Sequence, residues 1–299
     1  MKDIEGKVAF ITGGANGAGF GMAQVFVKNG MKVVIGDIRQ DSLDRAVKIF
    51  QNNPNVHAVS LDVTDREAFA AAADEAERVF GKVHILCNNA GINLFAPIEE
   101  CTYNDWDWVM GVNFGGVVNG IQTFVPRIRK HGEGGHIVNT ASMAAFLPSA
   151  LVGIYTASKY GVRGLSEALR LSLYEHKIGV SVFCPGLINS VIYESEKVRP
   201  SQFASPETTA KSRKTMDILP EIHKAGMAPE EVGEKVLAGI RRNDLYIFSH
   251  PEFRDELKEI FDEVLASMPE GEAPPNRLAF EKTRRDALRQ AKDEANKIG

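Results

Sequence analysis

The run KVAFITGGANGAGFG, residues 7–21, decides the architecture. Lys7–Thr12 is apolar and β-prone, and after the glycines comes the helix-like AQVFVKNG, residues 23–30. A buried strand leading through a glycine turn into a helix opens a βα unit. Gly13, Gly17 and Gly19 carry no Cβ atoms. The backbone there, with Asn16 and Ala18 between, can turn tightly and approach a pyrophosphate at the helix N-terminus. A glycine loop that merely turns would show the same letters. The strand before it and the helix after it favour the phosphate reading.

Working outward, the second strand, KVVIG at 32–36, runs into Asp37, Ile38 and Arg39. A carboxylate at that strand end can bond the two ribose hydroxyls of NAD and repel a 2′-phosphate. Asp37 could equally be an N-cap or loop residue, and Arg39 could accept a 2′-phosphate. The nearer position of the acid favours NAD. A helix over 41–52 follows, then a third strand at 56–61, with Asp62 and Val63 in a loop suited to face adenine. Next come an amphipathic helix at 65–80 and a fourth strand at 83–87, which ends in Asn88, Asn89, Ala90 and Gly91. Apolar residues at helical spacing predict one long helix over 104–131, with the amide of Asn113 inside the apolar stripe. That amide needs partners, either in helix packing or in an active-site relay.

The fifth strand, 136–140, leads to Ser142, and Tyr155 and Lys159 follow on the next helix. Four residues apart, a phenol and an ammonium lie on one helix face. The cation favours the phenolate, and the serine hydroxyl can bond a substrate oxygen, which is equipment for moving a proton at an alcohol oxygen. The same spacing is met by a half-buried Tyr beside a solvated Lys. A sixth strand, 179–184, ends at Pro185 and Gly186, with Ile188 and Ser190 just beyond. Strands alternate with helices throughout, which predicts an α/β fold: a single Rossmann-type doubly wound domain, a seven-stranded parallel sheet with helices on both faces, and a C-terminal helical extension. Each candidate group falls just after a strand, so all converge on one sheet edge.

Helical spacing lapses between Gly186 and Ala228, where Pro200, Pro206 and Pro220 stand among Ser and Thr. That predicts an irregular substrate lid over 186–228 or a mobile insertion. A helix starts at Pro229, a last strand covers 245–248, and the domain closes near residue 250. Residues 251–299 form the extension: an apolar-faced helix from Phe253, a break at 269–275, and a charged helix-like tail, either solvated or docked on a neighbouring subunit.

The composition is that of an ordinary globular chain: 299 residues, 44% hydrophobic, 25% charged. A net charge of −4 argues against nucleic-acid or anionic-membrane partners. No apolar run reaches the roughly 20 residues needed to span a bilayer. Cys87, Cys101 and Cys184 lack metal spacing, which predicts no metal site and a reduced, cytoplasmic protein.

Taken together, these residues resemble the short-chain dehydrogenase/reductase family over roughly residues 5–250. T-G-x-x-x-G-x-G is met by Thr12, Gly13, Gly17 and Gly19, and N-N-A-G by Asn88 to Gly91. The family's catalytic Asn, Ser, Tyr and Lys match Asn113, Ser142, Tyr155 and Lys159. Ser190 stands where the family usually has Thr and keeps the hydroxyl for the nicotinamide carboxamide. The resemblance implies NAD-dependent interconversion of a small-molecule secondary alcohol and its ketone. In it Tyr155 takes the proton, Lys159 lowers the tyrosine pKa and bonds the nicotinamide ribose, Ser142 holds the substrate oxygen, and Asn113 orders a water. It also implies a homodimer or homotetramer through the helices at 104–131 and 153–177. A finer resemblance, in the opening block, the W-D-W helix and the long extension, is to the Cα-dehydrogenases of bacterial lignin β-aryl ether breakdown. It implies a bulky aryl alcohol. A hydroxysteroid dehydrogenase is a rival, as is a β-ketoacyl reductase using Arg127, Arg129 and Lys130 as a docking patch. A non-catalytic NAD-binding sensor or scaffold is the rival of another class.

Overall fold

The computed structural model describes residues 1–298, the side chains of 214–216 aside. The last residue of the expected tail, Gly299, lies outside it. Seven strands form one sheet: β1 (Val8–Thr12), β2 (Lys32–Asp37), β3 (Val56–Ser60), β4 (Ile85–Asn88), β5 (Gly135–Thr140), β6 (Ile178–Cys184) and β7 (Tyr246–Phe248). Their order is β3-β2-β1-β4-β5-β6-β7, and every pairing is parallel. The chain builds outward from β1 to one side and then returns to place β4 on the other. The crevice at that reversal, beyond the strands' carboxyl ends, is where ligands bind in such sheets.

Strand alternation sends successive side chains to opposite faces. Ala9 and Ile11 of β1 belong to the core beneath α1 (Gly17–Lys28) and α9 (Pro229–Arg242). Val8 and Phe10 belong to the opposite core, under α3 (Arg66–Phe80) and α5 (Gly116–His131). There the Phe10 ring lies 4.8 Å from that of Phe124. Both faces are covered, so the strands read as continuous apolar runs. The α1–α9 crossing depends on glycine: a Cβ on Gly21 would stand 1.7 Å from the Pro229 carbonyl oxygen, and one on Gly233 would stand 2.3 Å from that of Gly21.

Two expectations change. The helix expected over 104–131 is interrupted: α4 (Tyr103–Met110) passes into α5 through a π-helical turn, Gly111–Gly115. The wider turn carries Asn113, whose amide bonds a neighbouring loop instead of filling the apolar stripe. The segment 186–228 is not irregular. It holds 3₁₀ turns at Ile192–Val198 and Ser201–Phe203, then α7 (Pro206–Met216) and α8 (Leu219–Lys224). Pro206 and Pro220 sit in the first turns of these helices, where a missing N–H breaks no intrahelical bond.

A buried ion pair fastens this segment to α4. Arg199 reaches Asp105 at 2.8 Å and Glu196 at 2.7 Å, and its guanidinium lies 4.0 Å from the centre of the Trp108 ring. Asp105 also closes the capping box with Thr102 at the start of α4. The extension forms α10 (Arg254–Ala266) and α11 (Pro275–Asn296). The far end of α11 returns to the body. Asn296 accepts from buried Arg170 at 2.9 Å, and Asn243 donates to the Ala295 carbonyl at 2.8 Å. Among the described residues, no helix is long and apolar enough to cross a membrane.

Candidate active site

One cavity of about 650 Å³ opens over the carboxyl ends of the strands. At its floor the chain turns from β1 into α1. Gly13 holds a positive φ of 60°, and a Cβ there would stand 2.8 Å from the Ala90 Cα. A Cβ on Gly19 would stand 2.2 Å from the Gly13 carbonyl oxygen. Asn16, the N-cap of α1, gives no side-chain cap to that helix; its oxygen instead accepts from Arg45. The first-turn N–H groups of α1 therefore have no capping side chain, and the turn holds no acid. That is the condition for receiving a phosphate.

Thr12 and Asn89 brace this loop. The Thr12 hydroxyl accepts from the backbone N–H of Asn89 at 2.9 Å and of Ala90 at 3.0 Å. The Asn89 amide donates to the carbonyls of Thr12 and Gly13. At the end of β2, Asp37 is buried, and burial pushes its carboxyl pKa up, against the backbone N–H bonds of Arg39 and Ala15. Those bonds fix the carboxylate at the cavity edge and leave it acceptor capacity. Ile38 is exposed beside it. Asp62, turned by its bonds to Thr64, and Val63 follow around the rim. Gly17, Ala18, Gly91, Pro185, Gly186, Ile188 and Ser190 complete the cradle. Glycine-floored and open to an uncapped helix end, it fits a dinucleotide.

The reactive end lies where β5 meets α6 (Gly153–Leu173). Ser142 caps a short 3₁₀ turn, accepting from the Ala144 N–H at 3.1 Å, and its hydroxyl lies beside the Tyr155 phenol. Lys159 is buried. Its amine donates to the Thr140 carbonyl at 2.9 Å and stands 5.3 Å from the centre of the Tyr155 ring. Burial lowers its pKa to about 8. The phenol pKa moves opposite to the expected direction: burial raises it, and the nearby Ser142 hydroxyl only partly opposes this. The amine itself is turned to the Thr140 carbonyl.

Of the sequence candidates, Gly19 and Asn113 do not line the cavity. Asn113 accepts from the Ile92 N–H at 2.9 Å, and donates to the Ile92 carbonyl at 3.0 Å and to Ser158 at 3.1 Å. Its amide thus ties Ile92, just beyond the Asn88–Gly91 loop, to Ser158 on α6. All the others meet in the one space.

The profile of the short chain dehydrogenase family matches residues 7–199. The chain is a short-chain dehydrogenase. This dehydrogenase is 43% identical over 277 residues to the C alpha-dehydrogenase of Sphingobium sp. (strain NBRC 103272 / SYK-6), spanning 92% of this chain and 90% of that one. A short-chain dehydrogenase structure from Novosphingobium aromaticivorans is 46% identical with a TM-score of 0.84, over 98% of this chain and 100% of that one. One from Burkholderia phymatum, in complex with NAD, is 33% identical with a TM-score of 0.84, over 92% and 100%. The dehydrogenase is accordingly an oxidoreductase of the alcohol dehydrogenase type.

Sequence reasoning missed the far wall of the dehydrogenase's cavity. Phe95, Trp108, Phe203 and Ile222 line it, with Phe253 contributed by the extension. Two polar groups interrupt these apolar surfaces. The Asn93 side-chain oxygen is buried with no hydrogen-bond partner among the described residues. His223 donates from Nδ1 to the Ile188 carbonyl at 3.0 Å, which leaves Nε2 an acceptor. His250 was also missed. It accepts from the Gly186 N–H at 3.0 Å and donates to the Leu187 carbonyl at 3.0 Å, fixing the loop after β6. No local motif marks these residues; they lie in segments whose partners are distant in sequence.

Proposed function

We propose that the dehydrogenase oxidises a bulky aryl secondary alcohol to its ketone with NAD, and runs the reverse reaction when the ketone is supplied. One observation carries this reading: Ser142, Tyr155 and Lys159 line the same cavity as the glycine turn, the β2 acid and the aromatic side chains Phe95, Trp108 and Phe203. The nicotinamide dinucleotide, when bound, supplies the acceptor for the hydrogen lost from the carbinol carbon. Tyr155 removes the hydroxyl proton as the phenolate, and Ser142 fixes the alcohol oxygen. Lys159 supplies the cation that favours the phenolate and a donor for the nicotinamide ribose, while the Ser190 hydroxyl serves the carboxamide. Asn113 and Thr12 position the loops that carry these groups. The segment 186–228 acts as the lid over the aryl portion, with Asn93 and His223 as polar points for its substituents. The 43% identity to a C alpha-dehydrogenase supports an alcohol carbon next to an aryl ring.

The β-ketoacyl alternative loses support because Arg127 is held by Asp74 and Glu77, each at 2.7 Å, and is not free to dock an acidic carrier. The assembled Ser-Tyr-Lys group weighs against an idle sensor. Exposed Leu265, Met268, Leu278 and Phe280 on α10, α11 and the link between them support a homodimer or homotetramer, which light scattering would measure.

The test is a panel of aryl and steroidal secondary alcohols with NAD, followed by NADH absorbance. Aryl carbinols should be the preferred substrates. Tyr155→Phe should lower turnover by about 10²–10⁴-fold and leave NADH affinity within about twofold. Wild-type turnover in that variant would refute the proton-transfer assignment.

A further inference from the structure

Arg39 stands two residues beyond the β2 acid, where a guanidinium could grip a 2′-phosphate. In this chain its fork is already occupied. Asp41, from α2 (Gln40–Ile49), takes Nη2 at 2.9 Å and Nε at 3.3 Å. The third bond comes from across the groove. Glu194, on the 3₁₀ turn Ile192–Val198, accepts from Nη1 at 2.8 Å. Arg39 and Glu194 both line the cavity, and each side chain is about one-fifth exposed (22% and 21%). Glu194 is itself held by Lys197 at 2.7 Å. Asp37, which accepts from the Arg39 backbone N–H at 3.0 Å, adds a further carboxyl group beside the guanidinium.

We propose that Glu194 is a coenzyme-selecting residue: it occupies Nη1, the end of the guanidinium that Asp41 leaves open and that a 2′-phosphorylated dinucleotide would need, and so disfavours NADP(H). The inference rests on the dinucleotide reading above and assigns a second selector to it, on the lid side of the groove. The physical reason is charge and geometry. Guanidinium and phosphate match as a bidentate pair. A phosphate reaching Arg39 here must displace a carboxylate that is already bonded and must enter beside Asp37 and Asp41. A dinucleotide with a free 2′-hydroxyl asks nothing of Arg39 and leaves the bridge intact. The bridge also joins the adenosine side of the groove to the segment that covers the reactive end.

The test is binding and needs no alcohol. NADH and NADPH are titrated by fluorescence into the full-length wild type, Glu194→Gln, Arg39→Gln and the double variant at low salt. In Glu194→Gln the NADPH-to-NADH affinity ratio should rise about tenfold or more. In the Arg39→Gln background the same change should raise it less than about threefold, because the fork is gone. Glu194→Ala, which adds no new amide, should act in the same direction as Glu194→Gln. No gain in either Glu194 variant, or an equal gain with and without Arg39, overturns the proposal; an equal gain would mean that only the local potential had changed. If the wild type binds NADH and the gain is absent, the gate alone fails. If it binds neither dinucleotide, the cofactor reading and this inference fall together.

Discussion

At the scale of single residues, the proposed role of Lys159 sets stability against catalysis. Its burial depresses the amine pKa to about 8, whereas an unfolded lysine keeps its proton to roughly 10.4. Below pH 8 both states are charged and the folded one carries the desolvation penalty, on the order of 3 kcal/mol. Between pH 8 and about 10.5 the unfolded chain binds the extra proton, so stability rises with pH across that window. Lys159→Met should therefore be more stable than wild type at pH 7 by about 1–3 kcal/mol, and the gain should shrink near pH 10. Denaturant melts at the two pH values measure it, and a variant less stable at pH 7 would contradict the account. The same variant should lose turnover by about 10²-fold or more. Removing the cation makes the Tyr155 phenolate costlier, so the alkaline rise in alcohol oxidation should move to higher pH. In the wild type that rise belongs to the coupled Tyr–Lys pair.

At the scale of elements, two contacts carry the architecture around the cavity. The Asp105–Arg199 pair fixes the segment 186–228 to α4 and seats Arg199 against cavity-lining Trp108. Asp105→Asn leaves a buried guanidinium poorly compensated, and breaking such pairs costs about 3–5 kcal/mol. The expected result is a lower Tm and a higher KM for the alcohol, with NADH affinity unchanged; a change in NADH affinity alone would contradict this placement. At the α1–α9 crossing, Gly21→Ala should destabilise by about 1–3 kcal/mol despite alanine's better helix propensity. The added methyl would overlap the Pro229 carbonyl, and a thermal melt decides the sign. These elements also show what the sequence reveals. Strands β1 to β6 were legible because each is an apolar run followed by a motif with a steric reason for its glycines, carboxylates or amides. The helices of 186–228 were not, because Pro206 and Pro220 were read as breakers when they start helices, although Pro229 was correctly read as a start. The π-turn was invisible, since Asn113 fits an uninterrupted helical stripe until its bonds to Ile92 are seen.

At the scale of the whole molecule, the convergence of the candidate residues on one cavity was legible from sequence because a parallel sheet gathers every post-strand loop at one edge. The cavity's far wall and the Arg39–Glu194 bridge could not, because each joins segments distant in sequence. The extension is part of the same body at two places: Phe253 lines the cavity, and Ala295 and Asn296 complete the surroundings of buried Arg170. Deleting residues 275–299 should lower stability by about 1–3 kcal/mol, the cost of stripping partners from a buried charged donor. Alcohol oxidation should persist, and an unchanged Tm would show that the α11 contact contributes nothing. The α1–α9 crossing has a consequence in time. Gly21 leaves the ribosome roughly 200 residues before Gly233, an interval of about 10–40 s at ordinary rates of synthesis. Throughout it the first helix can pack on β1 and β2, but the side that meets α9 stays open to water, so this half of the core closes only when α9 arrives.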